Sequence, residues 1–147
     1  MKHSITDKFA RLGAPLRNPR WSWGAVRPGD GTVFLRVWQD ESRIIDGIPC
    51  MLVHTTASPE KQGQSERDYH LTLIEEGARC LLVIVQNGAA PGKPRRVGVV
   101  HDTLHLGGRL YKRPSACGNH IEISIARVGR VPHMQAMIGE LDAEEAA

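Results

Sequence analysis

The order of hydrophobic and polar positions along the chain predicts many short strands and few helices. Residues 32–38 (TVFLRVW) are rich in β-branched and aromatic side chains and form the clearest strand. Residues 79–85 contain a continuous apolar run typical of a buried central strand, and residues 120–128 alternate apolar and polar positions. Further strands are predicted at residues 21–26, 48–55, 95–101, 103–106 and 109–112. A tight turn is predicted at Gly107-Gly108, between the last two of these strands.

Two helical segments interrupt the strands. The first covers residues 4–12, because Ser4 can cap its first turn and Gly13 follows its end. The second covers residues 65–77, and a short helix is also possible after Pro132. Many short strands with two short helices predict an α+β fold, in which a mixed or antiparallel sheet curls into a small β-barrel.

The length of 147 residues fits one domain, which we place at 1–147 with an acidic, frayed tail at 140–147. The chain contains no run of about 18 apolar residues, and its first residues lack the apolar stretch of a signal peptide. We therefore expect a cytoplasmic protein with no membrane partner.

Alternation along the strand at 32–38 separates its side chains into two faces. The aliphatic residues Val33, Leu35 and Val37 share the face that suits a core. The opposite face carries Phe34, Arg36 and Trp38, and two aromatic rings beside an arginine are unusual on a face that is only solvated.

One interpretation of this second face is a pocket in which a flat base stacks between aromatic rings. The alternative is a second hydrophobic layer beneath a helix, with the arginine reaching the surface. The candidate ligand-binding residues are Trp21, Ser22, Trp23, Phe34, Arg36 and Trp38.

The net charge of +3 hides a more basic body, because the last eight residues hold four carboxylates. Arginine outnumbers lysine by 14 to five, and its planar fork of donors suits phosphates and base edges. This composition favours a nucleic-acid partner, unless it only reflects an arginine-rich coding bias. The candidate phosphate-binding residues, around the predicted hairpin, are Arg95, Arg96, Arg109, Lys112 and Arg113; a scattered basic surface is the alternative.

Two weak candidates for acid–base chemistry are present. Glu66 and His70 lie four residues apart in the second helix, where a helical ion pair is the simpler interpretation. Asp40 and Glu41 follow a strand directly, where such pairs usually only solubilise a turn. Binding is therefore expected in preference to catalysis.

No metal or cofactor is expected. The three cysteines are odd in number and widely spaced, without a CxxC pair. His101 and His105 have a spacing that binds metal on a helix, but their segment is predicted as strand.

The strand with Trp21 and Trp23, the aromatic strand ending in Trp38 and the helix 65–77 before a buried strand resemble the PUA-like superfamily, which includes EVE, ASCH and YTH domains. The resemblance implies a curled β-barrel in which aromatic residues enclose a modified or flipped base. The first hypothesis is therefore a nucleic-acid-binding module. The alternatives are a small enzyme acting on a nucleotide or nucleic acid, and a protein-interaction module of a phage or defence system.

Overall fold

The computed structural model of the chain describes residues 4–18, 22–55 and 64–137. Within these residues, eight strands form one mixed sheet and three short helices lie beside it, giving an α+β fold. The strands are β1 (Gly24–Val26), β2 (Val33–Trp38), β3 (Ser42–Ile45), β4 (Ile48–Thr55), β5 (Cys80–Asn87), β6 (Val97–Val100), β7 (Leu104–Pro114) and β8 (Ile121–Val131). The helices are α1 (Ile5–Arg11), α2 (Gln64–Glu75) and α3 (His133–Ala136), and a 3₁₀ turn covers Gln39–Glu41. None of the described helices has the length and apolar character needed to cross a membrane.

The sheet runs in the order β1-β2-β5-β7-β8-β4-β3, and β6 pairs with the end of β5. Strands β2 and β5 are parallel and every other pair is antiparallel, with α2 lying between β4 and β5 in the chain. The sheet remains open, so the predicted barrel is not closed by hydrogen bonds. The two outermost strands are short, with three residues in β1 and four in β3, and they do not pair with each other.

The sheet curls around an inner core. Strands β2 and β4 are not paired, yet Val37 of β2 and Val53 of β4 belong to the same buried cluster. Leu82 of β5 and Ile125 of β8 fill the middle of this cluster, and Leu71 of α2 covers one side. The aliphatic face of β2 is therefore core, as the alternation predicts.

A second core lies between the outer face of the sheet and α1. Ser4 caps this helix, because its hydroxyl accepts a hydrogen bond from the backbone N–H of Asp7 at 3.1 Å. Phe9 and Leu12 are fully buried, and the ring of Phe9 meets that of Phe34 edge-on with centroids 6.5 Å apart. The second hydrophobic layer thus exists at Phe34.

The predicted turn at Gly107-Gly108 is wrong, because β7 continues through both residues and pairs with β8 before and after them, with register shifts on either side of Gly107. These glycines serve close packing. A Cβ on Gly107 would lie 2.7 Å from Cδ1 of Ile125 and 3.1 Å from Sγ of Cys80. The hairpin around which the candidate phosphate-binding residues were grouped does not form.

Candidate functional site

A gap in the sheet forms where two short strands end. Strand β1 pairs with residues 33–35 of β2, and β3 pairs with residues 48–51 of β4. Beyond these pairs, the described residues supply no further strand on the outer side of the end of β2 or of residues 52–55 of β4. The curl of the sheet brings these two edges to opposite sides of one cavity.

The cavity has a volume of about 550 Å³ and opens beside the aromatic residues that the sequence singles out. Its lining includes Trp23, Arg36 and Trp38 on one side, and residues 52–55 of β4 on the other. Both tryptophans are half-buried, so part of each ring surface is accessible from the cavity.

Arg67 of α2 bridges the two sides of the gap. Its guanidinium donates to the carbonyl oxygens of Val53 at 2.6 Å, Trp23 at 2.8 Å and Arg36 at 3.0 Å. A β-bulge in β4 between Leu52 and His54 interrupts the regular register at the first of these acceptors. Burial, and then the charge of Arg36, lower the pKa of Arg67 to about 10, so the side chain is still a cation at neutral pH.

Trp38 lies against two arginines. The guanidinium carbons of Arg36 and Arg95 are 5.5 and 5.2 Å from its ring centroid, within the range of cation–π attraction. Asp40 and Glu41 hold Arg95 in this place through ion pairs of 2.9 Å each. The two carboxylates therefore orient an arginine on the cavity wall, and their geometry gives no sign of acid–base work.

The positive charge of Arg36 forms no ion pair within the part of the chain that the structure describes. Among the described residues, no carboxylate lies within 4 Å of its guanidinium, and no hydrogen bond from its side chain is formed. Burial lowers the pKa of the Arg36 guanidinium from its ordinary value. Its donors are available to a group that enters the cavity.

His54 adds a polar group to the β4 side of the cavity. Its Nε2 lies 2.8 Å from a carboxylate oxygen of Asp68 on α2. Burial lowers the pKa of His54 in spite of this carboxylate, so the imidazole donates to Asp68 in its neutral form near pH 7.

Two of the other predicted ligand-binding residues lie outside the cavity. Phe34 is fully buried under α1 and cannot meet a ligand. Ser22 is buried, and its hydroxyl accepts from the backbone N–H of Asn18 at 2.9 Å and lies 3.3 Å from Oε2 of Glu66. Trp21 lies outside the described residues, as does the predicted tail at 140–147.

The candidate pair Glu66 and His70 does not line either of the two cavities described for this fold. His70 is buried against β1, where Gly24 permits the approach: a Cβ on Gly24 would lie 3.2 Å from Nδ1 of His70 and 2.5 Å from the carbonyl oxygen of Phe34. The close backbone approach at Gly24 therefore serves the protein's own packing.

Burial and the charge of Arg67 lower the pKa of His70 to about 4, which predicts an acid-sensitive fold. Between pH 6.5 and 4 the unfolded chain binds a proton on this histidine and the folded chain does not, so stability falls as the pH falls. We expect His70 to account for a loss of roughly 2–3 kcal/mol over this range. Urea unfolding of wild type and His70→Leu at pH 7.5 and pH 4.5 measures this loss. An equal change in the free energy of unfolding between the two pH values in both proteins would contradict the prediction.

Only Arg95 of the five candidate phosphate-binding residues lines this cavity. Lys112 pairs with Glu75 at 3.2 Å and Arg113 with Asp46 at 2.9 Å, so these two charges are compensated away from the cavity. The remaining two candidates, Arg96 and Arg109, are exposed. No group of three or more His, Cys, Asp or Glu side chains in the described ranges is arranged to hold a metal ion.

Comparison of the chain with protein-family models, curated proteins and solved structures finds no match. The functional proposal therefore depends on the geometry and charge of the cavity.

Proposed function

We propose that this chain is a PUA-like nucleic-acid-binding module that takes an unpaired, flipped or modified base into the cavity beside Trp23, Arg36 and Trp38. The observation that carries the proposal is the cavity, which opens beside these aromatic residues. The alternative was a hydrophobic layer that covers them. Its volume of about 550 Å³ is within the range of small-molecule sites.

The chemistry of the walls suits a nucleobase. Tryptophan rings offer stacking surfaces, and stacking of one base on an aromatic side chain is worth about 1–3 kcal/mol. The guanidinium of Arg36 offers donors to the carbonyl and ring-nitrogen acceptors on a base edge. The lining contains three arginines, Arg36, Arg67 and Arg95, and one carboxylate residue, Glu41. This excess of positive charge favours a ligand attached to phosphates.

A cavity also distinguishes this proposal from the two alternatives. A protein-interaction surface would present a flat aromatic patch, whereas here the rings border a recess between two strand edges. An enzyme would need an acid or base in the recess. Of the predicted acid–base candidates, Asp40 and Glu41 are engaged by Arg95, and neither Glu66 nor His70 lines the recess. The imidazole of His54 does line it and is engaged by the carboxylate of Asp68.

The test is fluorescence anisotropy with labelled single strands, and with duplexes whose central base pair is intact, mismatched or methylated. We expect the single strand or the mismatched or methylated duplex to bind more tightly than the intact duplex, with affinity falling between about 50 and 200 mM salt. Trp38→Ala should weaken binding by about 5- to 100-fold, because a stacking surface is lost.

Tyr69→Ala is the matched control, because Tyr69 is an aromatic residue on α2 that is 59% exposed and does not line the cavity. It should bind as wild type does. Equal affinities of Trp38→Ala and wild type for every strand would rule out base recognition at this cavity.

A further inference from the structure

A second cavity, of about 430 Å³, lies beside the same 3₁₀ turn as the first. Glu41 of this turn lines the first cavity, whereas Gln39 and the following Ser42 line the second. Its floor is the end of the inner core, at Met51 and Ile84. None of the residues predicted to bind a ligand lines this second cavity.

Strand pairing collects basic side chains in this second cavity. His105 of β7 stands directly opposite Arg130 of β8, so their side chains share one face of the sheet. The register shifts by one residue at Val128, and this bulge returns Arg127 to the same face. His101 enters from the segment between β6 and β7 and lies 3.0 Å from the amide nitrogen of Gln86.

The two arginines of the second cavity have few counter-charges. Among the described residues, no carboxylate lies within 4 Å of Arg127 or Arg130, and the buried Nε of Arg127 has no hydrogen-bond partner. By contrast, Arg27 and Arg95 each form ion pairs of 2.9 Å or shorter.

The lining contains one carboxylate residue, Asp102, whose segment is held by a hydrogen bond of 2.8 Å from Nζ of Lys8 to the Asp102 carbonyl oxygen. Burial, and then the charges of Arg127, Arg130 and His101, lower the pKa of His105. An anion among these groups would relieve their mutual repulsion.

We propose that the second cavity is a binding site for a phosphoryl group. Two guanidinium forks and two imidazoles can surround a tetrahedral oxyanion, and arginine binds phosphate oxygens in pairs. The volume leaves room for a substituent on the phosphate, which Gln39 and Ser42 can contact with an amide and a hydroxyl. This assignment does not depend on base binding in the first cavity. A free nucleotide and the terminal phosphate of a nucleic-acid strand carry the same group.

The test follows histidine side-chain NMR signals during titration with inorganic phosphate and with adenosine 5′-monophosphate. Both should raise the pKa of His105, because the added negative charge stabilises its protonated form, and should leave His70 unchanged. Arg130→Gln and Arg127→Gln should each weaken binding by about 10-fold or more. The exposed β7 arginine gives the control Arg109→Gln, which should bind as wild type does.

Arg130 is exposed, so its variant keeps the test informative if Arg127→Gln fails to fold. A 5′-phosphorylated strand compared with the same strand without phosphate, both in the Trp38→Ala background, distinguishes a strand end from a free nucleotide as the source. An unchanged His105 signal would overturn the proposal. Acetate bound as tightly as phosphate would also overturn it, because the site would then not be selective for a tetrahedral oxyanion.

Discussion

Arg67→Met is expected to destabilise the fold more than any other single change at the site, by about 2–4 kcal/mol. The unbranched methionine replaces the aliphatic stem of arginine and removes the donors to three carbonyl groups in the buried gap between β2 and β4. An acceptor left without a partner in the interior keeps its desolvation penalty, which is the main source of the loss. Urea unfolding at pH 7.5 measures the difference.

Arg67→Lys separates charge from geometry. Lysine retains the positive charge but has a single ammonium group, which cannot reach three carbonyl oxygens on separate segments. It should therefore recover only part of the stability. The exposed residue Arg96 supplies the control variant Arg96→Met, with an expected change within about 0.5 kcal/mol. A loss of that small size in Arg67→Met would refute the bridging role.

Phe34→Ala and Trp38→Ala should differ in their effects, although the two residues lie on one face of one strand. The first should mainly reduce stability and the second should mainly reduce binding. Phe34 is fully buried against Phe9, and its truncation should cost about 3–5 kcal/mol of stability. Trp38 is half-buried at the cavity, and its truncation should cost about 1–2 kcal/mol while weakening binding.

Urea unfolding and strand binding measured on both variants check this contrast. Phe34→Ala, at a temperature where it remains folded, should keep its affinity for the labelled strand. Equal losses of stability would mean that one continuous hydrophobic layer covers this face of β2, and that Trp38 is packed in the same way as Phe34.

The sequence could predict the faces of β2 but not what covers each residue. Alternation within seven residues separates Phe34, Arg36 and Trp38 from the aliphatic positions. What covers them is decided by α1, which lies over Phe34 and stops short of Trp38. That length and placement depend on tertiary packing, so a second hydrophobic layer forms at Phe34 whereas a cavity opens at Trp38.

Arg67 was missed because its local pattern is that of a surface helix, between Glu66 and Asp68. Its acceptors belong to three segments separated from it by 14 to 44 positions in the chain, and no spacing rule connects them. The weak amphipathic pattern of α2 would normally suggest little burial. The sequence offers one signal of burial, a charged residue one helical turn before the buried Leu71. This arrangement is too common to be diagnostic.

The second cavity was beyond sequence analysis for a related reason. His101 and His105 were noticed as a pair, but Arg127 and Arg130 would point to opposite faces of a regular strand. Only the one-residue shift at Val128 brings them together, and the side chain of Val128 packs closely against Gly108. Bulges of this kind leave no clear mark in the order of residues.

The gap between β2 and β4 has a consequence for solubility. A bare strand edge is a template on which another chain can add a strand, and such growth leads to aggregation. Here the two edges face each other across a recess that already holds the charged end of Arg67, and the backbone N–H of Arg36 already donates to the carbonyl oxygen of Trp23 at 2.7 Å. A foreign strand could pair there only by displacing a buried cation from three carbonyl groups, so the gap resists strand addition.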